Sequence, residues 1–482
     1  MLKLILTLLS IIFFSTFINA QTADSTKINE VEKNLVGLIH VDGEAPWSIK
    51  ERMGHYHVNA LSVAVIQDYK ITWAKAYGWA DDSLKIAATD QTLFQGGSIS
   101  KSLNAVGVLR LAQEKKIDIY ADINNYLESW KFPYDSVSKG KKINIANLLS
   151  HTSGLNMSGF DGHAIGTPLP SVVQVLSGSE EINFSDRIKS IYEPGIKYEY
   201  SGGGIEISQV IVMDVTHLPY EQYMYKKILK PLGMNSSTFQ QPPIDKKPEL
   251  LATGYRANGT RIPGNYNIFP EQAAAGLWTN PTDLAKYIIE TQLALTGKSQ
   301  KVLDQKMTKL RLTPYIDKQS ALGVFINYSD NTGYFMHDGA TKGFRAIYYG
   351  SLEAGNGVVV MVNSDNGKIM REVINSVAKV YGFKGLYSSK LVKVVAVVDS
   401  TLQSYTGEYA LSDNFHLMIS KDGEHMYCQG TGQNKFEIFP EGQNKFFAKE
   451  LALEIEFIKN DNSKIVNLVL YQGGAREAKK IK

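Results

Sequence analysis

The spacing of apolar positions changes several times along the chain. Residues 60–66 and 71–78 are two apolar runs around a short polar stretch, which predicts a β-hairpin at the edge of a sheet. From Ser98 onward the apolar residues recur at helical spacing and predict a buried amphipathic helix. Apolar stretches that predict further strands follow at 321–328, 334–337, 344–350 and 357–363.

Strands at both ends of a long segment, with helices between them, indicate a mixed α/β domain. We place this domain at 47–385, and its sheet would be completed by segments that lie far apart in the sequence. Beyond about residue 391 the pattern changes to short strands and turns, with apolar residues alternating with glutamates at 453–457. The chain is therefore predicted to end in a small all-β, barrel-like domain at 397–482, joined by a linker at 386–396.

The N-terminus has the layout of a secretory signal. Lys3 precedes an apolar run at 4–17, and a cleavage position follows at Ala20. This layout predicts a signal peptide at 1–20 and a periplasmic or secreted protein. An uncleaved anchor is the alternative, although a membrane-spanning helix requires about 20 apolar residues. Residues 21–46 are polar and are expected to form a lead-in segment, and no other stretch of the sequence predicts a membrane span.

Composition narrows the classes of partner. The 482 residues are 44% hydrophobic and 21% charged, with a formal net charge of +3. This balance is typical of a globular protein with a sizeable core. Lysine and arginine are scattered, so no nucleic-acid partner is predicted. The single cysteine, Cys428, excludes an internal disulfide.

The string Ser-x-x-Lys occurs three times, beginning at Ser98, Ser136 and Ser138. The second and third copies lie in a polar stretch that predicts a solvated loop. The first copy follows two glycines and opens the predicted helix, where Lys101 would share a face with Ser98. Free N–H groups at a helix start favour a developing anion. Ser98 is therefore the candidate nucleophile with Lys101 as its partner, the alternative being a helix-capping serine with a surface lysine.

Residues 94–105 resemble the nucleophile segment of serine β-lactamases, D-alanyl-D-alanine carboxypeptidases and related esterases. The resemblance covers 47–385 and implies a mixed antiparallel sheet with helices. Residues 148–155 and 273–280 are similar to structural segments of the family, the latter flanking its pocket. The tail after residue 395 resembles a β-domain appended in bacterial members.

The second motif of this family is Tyr-x-Asn. Tyr200 stands at the tyrosine position, which implies that it relays protons between Ser98, Lys101 and the leaving group. Tyr198 is a second choice for this role. Gly202 occupies the position where relatives usually carry an asparagine that binds the substrate's amide carbonyl. This departure weakens the case for amides and β-lactams and leaves esters more open.

The third motif of the family is His-x-Gly in many relatives, and His337-Asp338-Gly339 resembles it. The resemblance implies that His337, as a cation or a donor, holds a substrate carboxylate. It also implies that Gly339 keeps the strand surface open. The Ala340 N–H would form an oxyanion hole with the N–H of Ser98.

Other histidines suggest rival sites. His151 invites interpretation as part of a triad, but its position within 148–155 favours a structural role. His55 and His57 would share one side of a strand, yet no acidic or cysteine residue follows at ligand spacing. No metal site and no organic cofactor are therefore predicted.

The sequence thus predicts an exported serine hydrolase that acts through an acyl-enzyme on Ser98. Its substrate would be a small molecule or peptide with an ester, amide or lactam carbonyl, and peptidoglycan is one candidate source. Whether Lys101 or Tyr200 accepts the proton stays open, as does the oligomeric state. The alternative is a non-catalytic penicillin-binding or cell-wall-sensing protein of the same fold, which Gly202 would suit.

Overall fold

The computed structural model describes residues 25–178, 187–451 and 453–482. The predicted secretory signal lies outside the described residues. The chain divides into two compact units. The larger unit comprises 25–27, 50–370 and 381–386, and the smaller unit comprises 28–49, 371–380 and 387–482.

The strands are numbered in chain order. They are β1 (Ile39–Val41), β2 (Ala60–Gln67), β3 (Lys70–Asp81), β4 (Ile86–Ala87), β5 (Phe94–Gln95), β6 (His163–Ala164), β7 (Asn267–Ile268), β8 (Trp278–Thr279), β9 (Phe325–Ser329), β10 (Thr332–Thr341), β11 (Phe344–Ser351), β12 (Gly357–Val362), β13 (Lys390–Val392), β14 (Gly407–Ser412), β15 (Phe415–Asp422), β16 (His425–Gly430), β17 (Phe436–Pro440), β18 (Lys445–Ala448), β19 (Leu453–Lys459), β20 (Ile465–Tyr471) and β21 (Ala475–Lys480).

The helices are numbered in the same way. They are α1 (25–33), α2 (Ile49–His55), α3 (Ile99–Gln113), α4 (Ile145–Leu149), α5 (Val172–Ser177), α6 (Gly202–Thr216), α7 (Tyr220–Met224), α8 (Lys230–Leu232), α9 (Gln272–Ala275), α10 (Pro281–Leu295), α11 (Gln305–Arg311), α12 (Lys368–Tyr381) and α13 (Asp399–Tyr405). A π-turn at Tyr225–Leu229 joins α7 to α8. Across the described ranges, no helix combines the length and apolar character needed to cross a membrane.

The larger unit is built around a seven-stranded antiparallel sheet in the order β4-β3-β2-β12-β11-β10-β9. β2 and β12 are buried along nearly their whole lengths, which is typical of central strands covered on both faces. They pair from Leu61 with Val362 to Ile66 with Gly357, so segments about 300 residues apart complete the sheet. The predicted mixed α/β fold is confirmed.

One predicted strand was wrong in its first half. The segment 321–328 becomes extended only from Phe325. Gly323 has a φ of +75°, and its N–H donates to the Leu149 carbonyl at 2.8 Å. This turn prevents the apolar residues before Phe325 from continuing the strand backwards.

The helix predicted from Ser98 onward is α3, but it is not amphipathic. Every residue is buried except three near its C-terminal end. Polar side chains within it have partners in the interior: Ser102 Oγ donates to the Gly323 carbonyl at 2.9 Å, and Asn104 Nδ2 donates to Ser208 Oγ at 2.8 Å. A helix buried on all sides lies inside the unit, and this places Ser98 at the edge of the core.

The smaller unit contains a closed antiparallel barrel formed by β14 to β21. Pairing of Tyr409 with Lys480 joins the first strand to the last. Along β19 the residues alternate between buried and half-buried, as predicted for 453–457. Stacking of Tyr405 on Phe457, with ring centroids 4.2 Å apart, helps to fill the interior. The predicted all-β C-terminal domain is confirmed.

The segments interpreted as lead-in and linker both contribute strands. β1, from the segment 21–46, pairs in parallel with β13, from the segment 386–396. Each strand has three residues, which is too short for its periodicity to be recognised in the sequence. Both strands belong to the smaller unit.

Candidate active site

Ser98 lies at the N-terminal end of α3, directly after Gly96 and Gly97. Its Oγ accepts hydrogen bonds from the Lys101 amine at 3.0 Å and from the Tyr200 hydroxyl at 2.9 Å. The hydroxyl makes no helix-capping hydrogen bond. The structure thus brings together the three side chains that the sequence proposed as nucleophile, partner and relay.

Lys101 is only 2% exposed. Besides Ser98, its amine contacts the main-chain carbonyl of Ala274 on α9, at 2.8 Å. The nitrogen also lies 5.2 Å from the centre of the Tyr200 ring. The alternative of a surface lysine one turn after a capping serine is therefore wrong. The Lys101 side chain is buried, and Ser98, the Ala274 carbonyl and the Tyr200 ring surround its amine.

Tyr200 is positioned just before α6 by a buried histidine. Its ring packs on that of His151 with centroids 4.2 Å apart, and His151 Nδ1 accepts from the Ser201 N–H at 3.2 Å. Burial, together with the positive charge of Lys101, lowers the pKa of His151 well below its usual value. His151 is therefore a neutral support for Tyr200 rather than part of a triad. Tyr198 contacts the same histidine edge-on, with centroids 6.1 Å apart.

β10 passes directly beside the start of α3. Its pairing with β9 ends at Met336, so the described residues of β10 after Met336 do not pair with β9. A Cβ added at Gly339 would lie 1.9 Å from the Gly96 carbonyl oxygen and 3.2 Å from the Ser98 nitrogen. Gly339 therefore does more than keep the strand surface open, because no larger residue allows this backbone contact.

Replacing Gly339 with alanine is expected to impair both stability and activity. The new methyl group would meet backbone rather than a flexible side chain, and overpacking of this kind costs about 1–3 kcal/mol or more. A displacement of β10 by about 1 Å is expected to lower kcat/KM about 100-fold. Thermal unfolding and ester hydrolysis would measure the two effects. Gly54→Ala, where the added Cβ has no atom within 4 Å, is the matched control; equal behaviour of both variants would contradict the close contact.

The main-chain amides of Ser98 and Ala340 are the two groups predicted to bind an oxyanion. A Cβ added at Gly97 would lie 2.7 Å from the Ala340 nitrogen, which places that N–H beside the start of α3. Among the described residues, none accepts a hydrogen bond from the Ser98 N–H. The Ala340 amide thus lies close to the residue before Ser98, and the oxyanion role of the Ser98 and Ala340 amides stays a prediction.

His337 belongs to β10, and its side chain is buried. Its Nδ1 lies 2.6 Å from the Asp338 carbonyl oxygen, to which it donates, and its ring lies 5.2 Å from that of Phe325. Burial, followed by the positive charge of Lys101, lowers the pKa of His337 to about 4. At neutral pH the imidazole is uncharged. A neutral imidazole has a single N–H, which here is donated to the Asp338 carbonyl, so Nε2 can only accept a hydrogen bond. Neither of the roles predicted for His337, donor or cation toward a substrate carboxylate, fits this state.

Gly202 is the first residue of α6 and lies against the loop 158–160. A Cβ at this position would be 3.0 Å from the Phe160 ring and 3.1 Å from the Ser158 carbonyl oxygen. A side chain at this position would press on Phe160 and on the Ser158 carbonyl, which would have to move by a few tenths of an ångström. The departure from Tyr-x-Asn therefore has a packing explanation that the sequence did not reveal.

Sequence reasoning missed two buried carboxyl groups, Glu206 near Lys101 and Glu271 near Glu206. Glu206 Oε1 accepts from the Ala274 N–H at 2.8 Å, and Glu271 directly precedes α9. Burial raises the pKa of Glu271 to about 7. Burial, and then repulsion from Glu271, raises the pKa of Glu206 well above its usual value. A glutamate within a mainly apolar helix is only a weak sequence signal for a functional residue. Its contact with Ala274 joins residues 68 positions apart, which the sequence does not reveal.

The rival motifs lie elsewhere. Ser136 and Ser138 belong to a 3-10 turn, and Lys139, which follows the turn, is within 3.3 Å of Glu193. His55 ends α2 and His57 has a φ of +53°, so the two do not share a strand as the metal alternative assumed. Within 25–178, 187–451 and 453–482 there is no group of three or more side chains suited to hold a metal.

Comparisons with known proteins agree with this architecture. Residues 48–380 match the Beta-lactamase family, and 393–480 match a domain of unknown function, DUF3471. A penicillin-binding protein of Bacillus subtilis (strain 168) is 22% identical over 452 residues, covering 89% of this chain and 96% of the relative. Protein flp of Staphylococcus aureus (strain MW2) is 25% identical over 320 residues, covering 64% of this chain and 60% of that protein.

A solved structure has the same fold. The octameric penicillin-binding protein homologue from Pyrococcus abyssi aligns with a TM-score of 0.59 and 20% sequence identity, covering 89% of this chain and 98% of that one. At this identity the likeness shows the fold alone. The family match extends over more than half of the chain and includes Ser98, Lys101, Tyr200 and His337. The resemblance inferred from the motifs is thereby confirmed: the chain belongs to the Beta-lactamase family.

Proposed function

We propose that the protein is a serine hydrolase that forms an acyl-enzyme on Ser98. The observation that carries this proposal is the convergence of the Lys101 amine and the Tyr200 hydroxyl on Ser98 Oγ, at 3.0 and 2.9 Å. Burying a lysine amine costs free energy of folding. A serine that only caps a helix does not need a buried amine beside it, so the arrangement points to a catalytic role. A nucleophile with an adjacent proton acceptor is the arrangement that acyl transfer requires.

The proposed reaction has two stages. Ser98 Oγ attacks the substrate carbonyl while its proton passes to Lys101 as a neutral amine or to Tyr200 as a phenolate, and the oxyanion is stabilised by the Ser98 and Ala340 N–H groups. The intermediate collapses, the bond to the leaving group breaks, and Tyr200 returns a proton to that group. Water then attacks the acyl-enzyme in the same way and releases the acid and free Ser98.

Neutral esters are the substrates that we propose. The uncharged His337 provides no cation for a substrate carboxylate at neutral pH. The neighbouring Asp338 carries a side chain that is 71% exposed and would repel such a group. The position at which relatives have an amide-binding asparagine is Gly202, which is packed against Phe160. Together these features favour an ester over a β-lactam or a peptide with a terminal carboxylate.

A substrate panel tests this preference. We expect p-nitrophenyl butyrate to be hydrolysed with a higher kcat/KM than nitrocefin or a D-Ala-D-Ala peptide. A reversed order would show that a carboxylate is recognised by groups other than His337. Labelling by a fluorophosphonate, located on Ser98 by mass spectrometry, tests the acyl-enzyme itself. Absence of labelling on folded protein would overturn the hydrolase proposal in favour of a binding protein.

We expect that restoring the family's asparagine at position 202 as a single change will not increase amide hydrolysis. Gly202→Asn would press on Phe160 and the Ser158 carbonyl, with an expected loss of about 1–3 kcal/mol in unfolding free energy. The ratio of amide to ester hydrolysis should stay unchanged. In Gly202→Asn combined with Phe160→Ala, which removes the obstructing ring, we expect that ratio to rise. A single variant of full stability and raised amide hydrolysis would contradict the packing explanation.

A further inference from the structure

α9 is held in place by one face of α6. Glu206 and Gln209 are three residues apart on α6 and therefore project from the same face. Gln209 Oε1 accepts from the Ala273 N–H at 2.7 Å, and Glu206 Oε1 accepts from the Ala274 N–H at 2.8 Å. N–H groups in the first turn of a helix have no partner within it. The two α6 side chains supply those partners and fix the position of α9.

Ala274 connects Glu206 to the candidate active site. Its N–H donates to Glu206, and its carbonyl accepts from the Lys101 amine at 2.8 Å. α6 also begins two residues after Tyr200, whose hydroxyl donates to Ser98. One helix thus positions both side chains that contact the Ser98 hydroxyl.

The environment of Glu206 is unusual for a residue that only stabilises the fold. Glu206 is fully buried, and among the described residues its Oε2 has no hydrogen-bond partner. Charged and titratable groups face it from three elements: Lys101 on α3, Glu271 before α9, and Tyr220 on α7. Burial and Glu271 raise the pKa of Glu206, which favours the neutral carboxylic acid. An incompletely paired polar group in the interior lowers stability relative to an apolar one.

We infer that Glu206 is a positioning residue which, by holding Ala274, keeps the Lys101 amine within hydrogen-bond distance of Ser98. The inference rests on the proposed hydrolase function. Glu206 touches neither Ser98 nor the space for the substrate, so its loss should affect the chemical step rather than substrate binding. Glutamine keeps an oxygen that can accept from Ala274 and resembles a neutral carboxylic acid in shape, whereas leucine removes the acceptor.

The test compares Glu206→Leu, Glu206→Gln and a buried control in the full-length protein. For Glu206→Leu we expect kcat for p-nitrophenyl butyrate to fall about 10-fold or more, with KM changed less than about threefold. Glu206→Gln should retain kcat within about threefold of the wild type. Glu290, a buried glutamate on α10 that accepts from Ser299 and Lys301, provides the control, and Glu290→Leu should leave kcat unchanged. Circular dichroism and thermal unfolding establish that each variant is folded.

The outcomes separate this inference from the proposed function. Wild-type protein that no fluorophosphonate labels would overturn both. Labelled wild-type protein with a fully active Glu206→Leu variant would overturn only the inference. A Glu206→Gln variant as impaired as Glu206→Leu would also overturn it, because the hydrogen bond would then not be the cause. If Glu206→Leu does not fold, Glu206→Met, which keeps the side-chain length, replaces it in the same comparison.

Discussion

Replacing Ser98 with alanine is expected to lower kcat by at least about 10³-fold. The variant removes the oxygen on which Lys101 and Tyr200 converge, so no acyl-enzyme can form. The Ser98→Ala variant keeps the main-chain amides of residues 98 and 340, which we propose as donors to the oxyanion, and we expect them to account for the residual rate. A 10³-fold loss corresponds to about 4 kcal/mol in transition-state stabilisation. Steady-state hydrolysis of p-nitrophenyl butyrate and fluorophosphonate labelling measure the effect.

The chain contains its own control for this experiment. Ser136 begins a second Ser-x-x-Lys string, but it lies on an exposed 3-10 turn. Ser136→Ala should therefore hydrolyse and label like the wild type. If Ser98→Ala retained labelling and Ser136→Ala lost it, the nucleophile would have been assigned to the wrong copy of the motif.

Replacing Lys101 with methionine is expected to reduce kcat by about 10²- to 10³-fold, with a smaller change in KM. Methionine fills the buried space of the Lys101 side chain with a chain of similar length but cannot exchange a proton with Ser98. Methionine also cannot donate a hydrogen bond to the Ala274 carbonyl. The fall in kcat therefore combines the loss of proton transfer with the loss of positioning. The rate of acylation, followed by stopped-flow release of p-nitrophenol, is the relevant measurement.

Lys139→Met is the corresponding control. Lys139 occupies the lysine position of the second string, with a side chain that is 73% exposed and 3.3 Å from Glu193. An exposed ion pair of this kind contributes about 0–1 kcal/mol, so both stability and turnover should be nearly unchanged. Near-normal turnover in Lys101→Met would show that Tyr200 alone serves as the base.

The fold class was predictable because burial leaves a strong periodic record in the sequence. β2 and β12 are continuous apolar runs, and β19 alternates with period two. The pairing of β1 with β13 was not predictable, since three-residue strands carry almost no pattern. α3 was predicted at the right place but with the wrong surroundings. The prediction was an amphipathic helix, whereas polar residues of α3 such as Ser102 and Asn104 form hydrogen bonds inside the unit.

The site was predictable where the chemistry depends on side chains in local strings. Ser98, Lys101 and Tyr200 fall in short motifs, and the structure brings them together. Groups that act through main-chain atoms cannot be recognised from a sequence motif. The Ala274 carbonyl and its link to Glu206 are examples, because any residue could supply that backbone. The packing that explains a glycine at position 202 was also not predictable. It depends on contact with Phe160, which lies 42 residues earlier in the sequence.

The position of β10 has a consequence for biosynthesis. Ser98, Lys101 and Tyr200 are all translated before residue 332, where β10 begins. A nascent chain that ends before that strand has the nucleophile and its partners but lacks Ala340, and β2 still awaits β12 as its neighbour. Strand pairing between such distant segments forms late in folding. The ribosome therefore completes Ser98 and its partners long before Ala340 exists, and the hydrolytic capacity that we propose would arise only when the C-terminal strands of the sheet have been made.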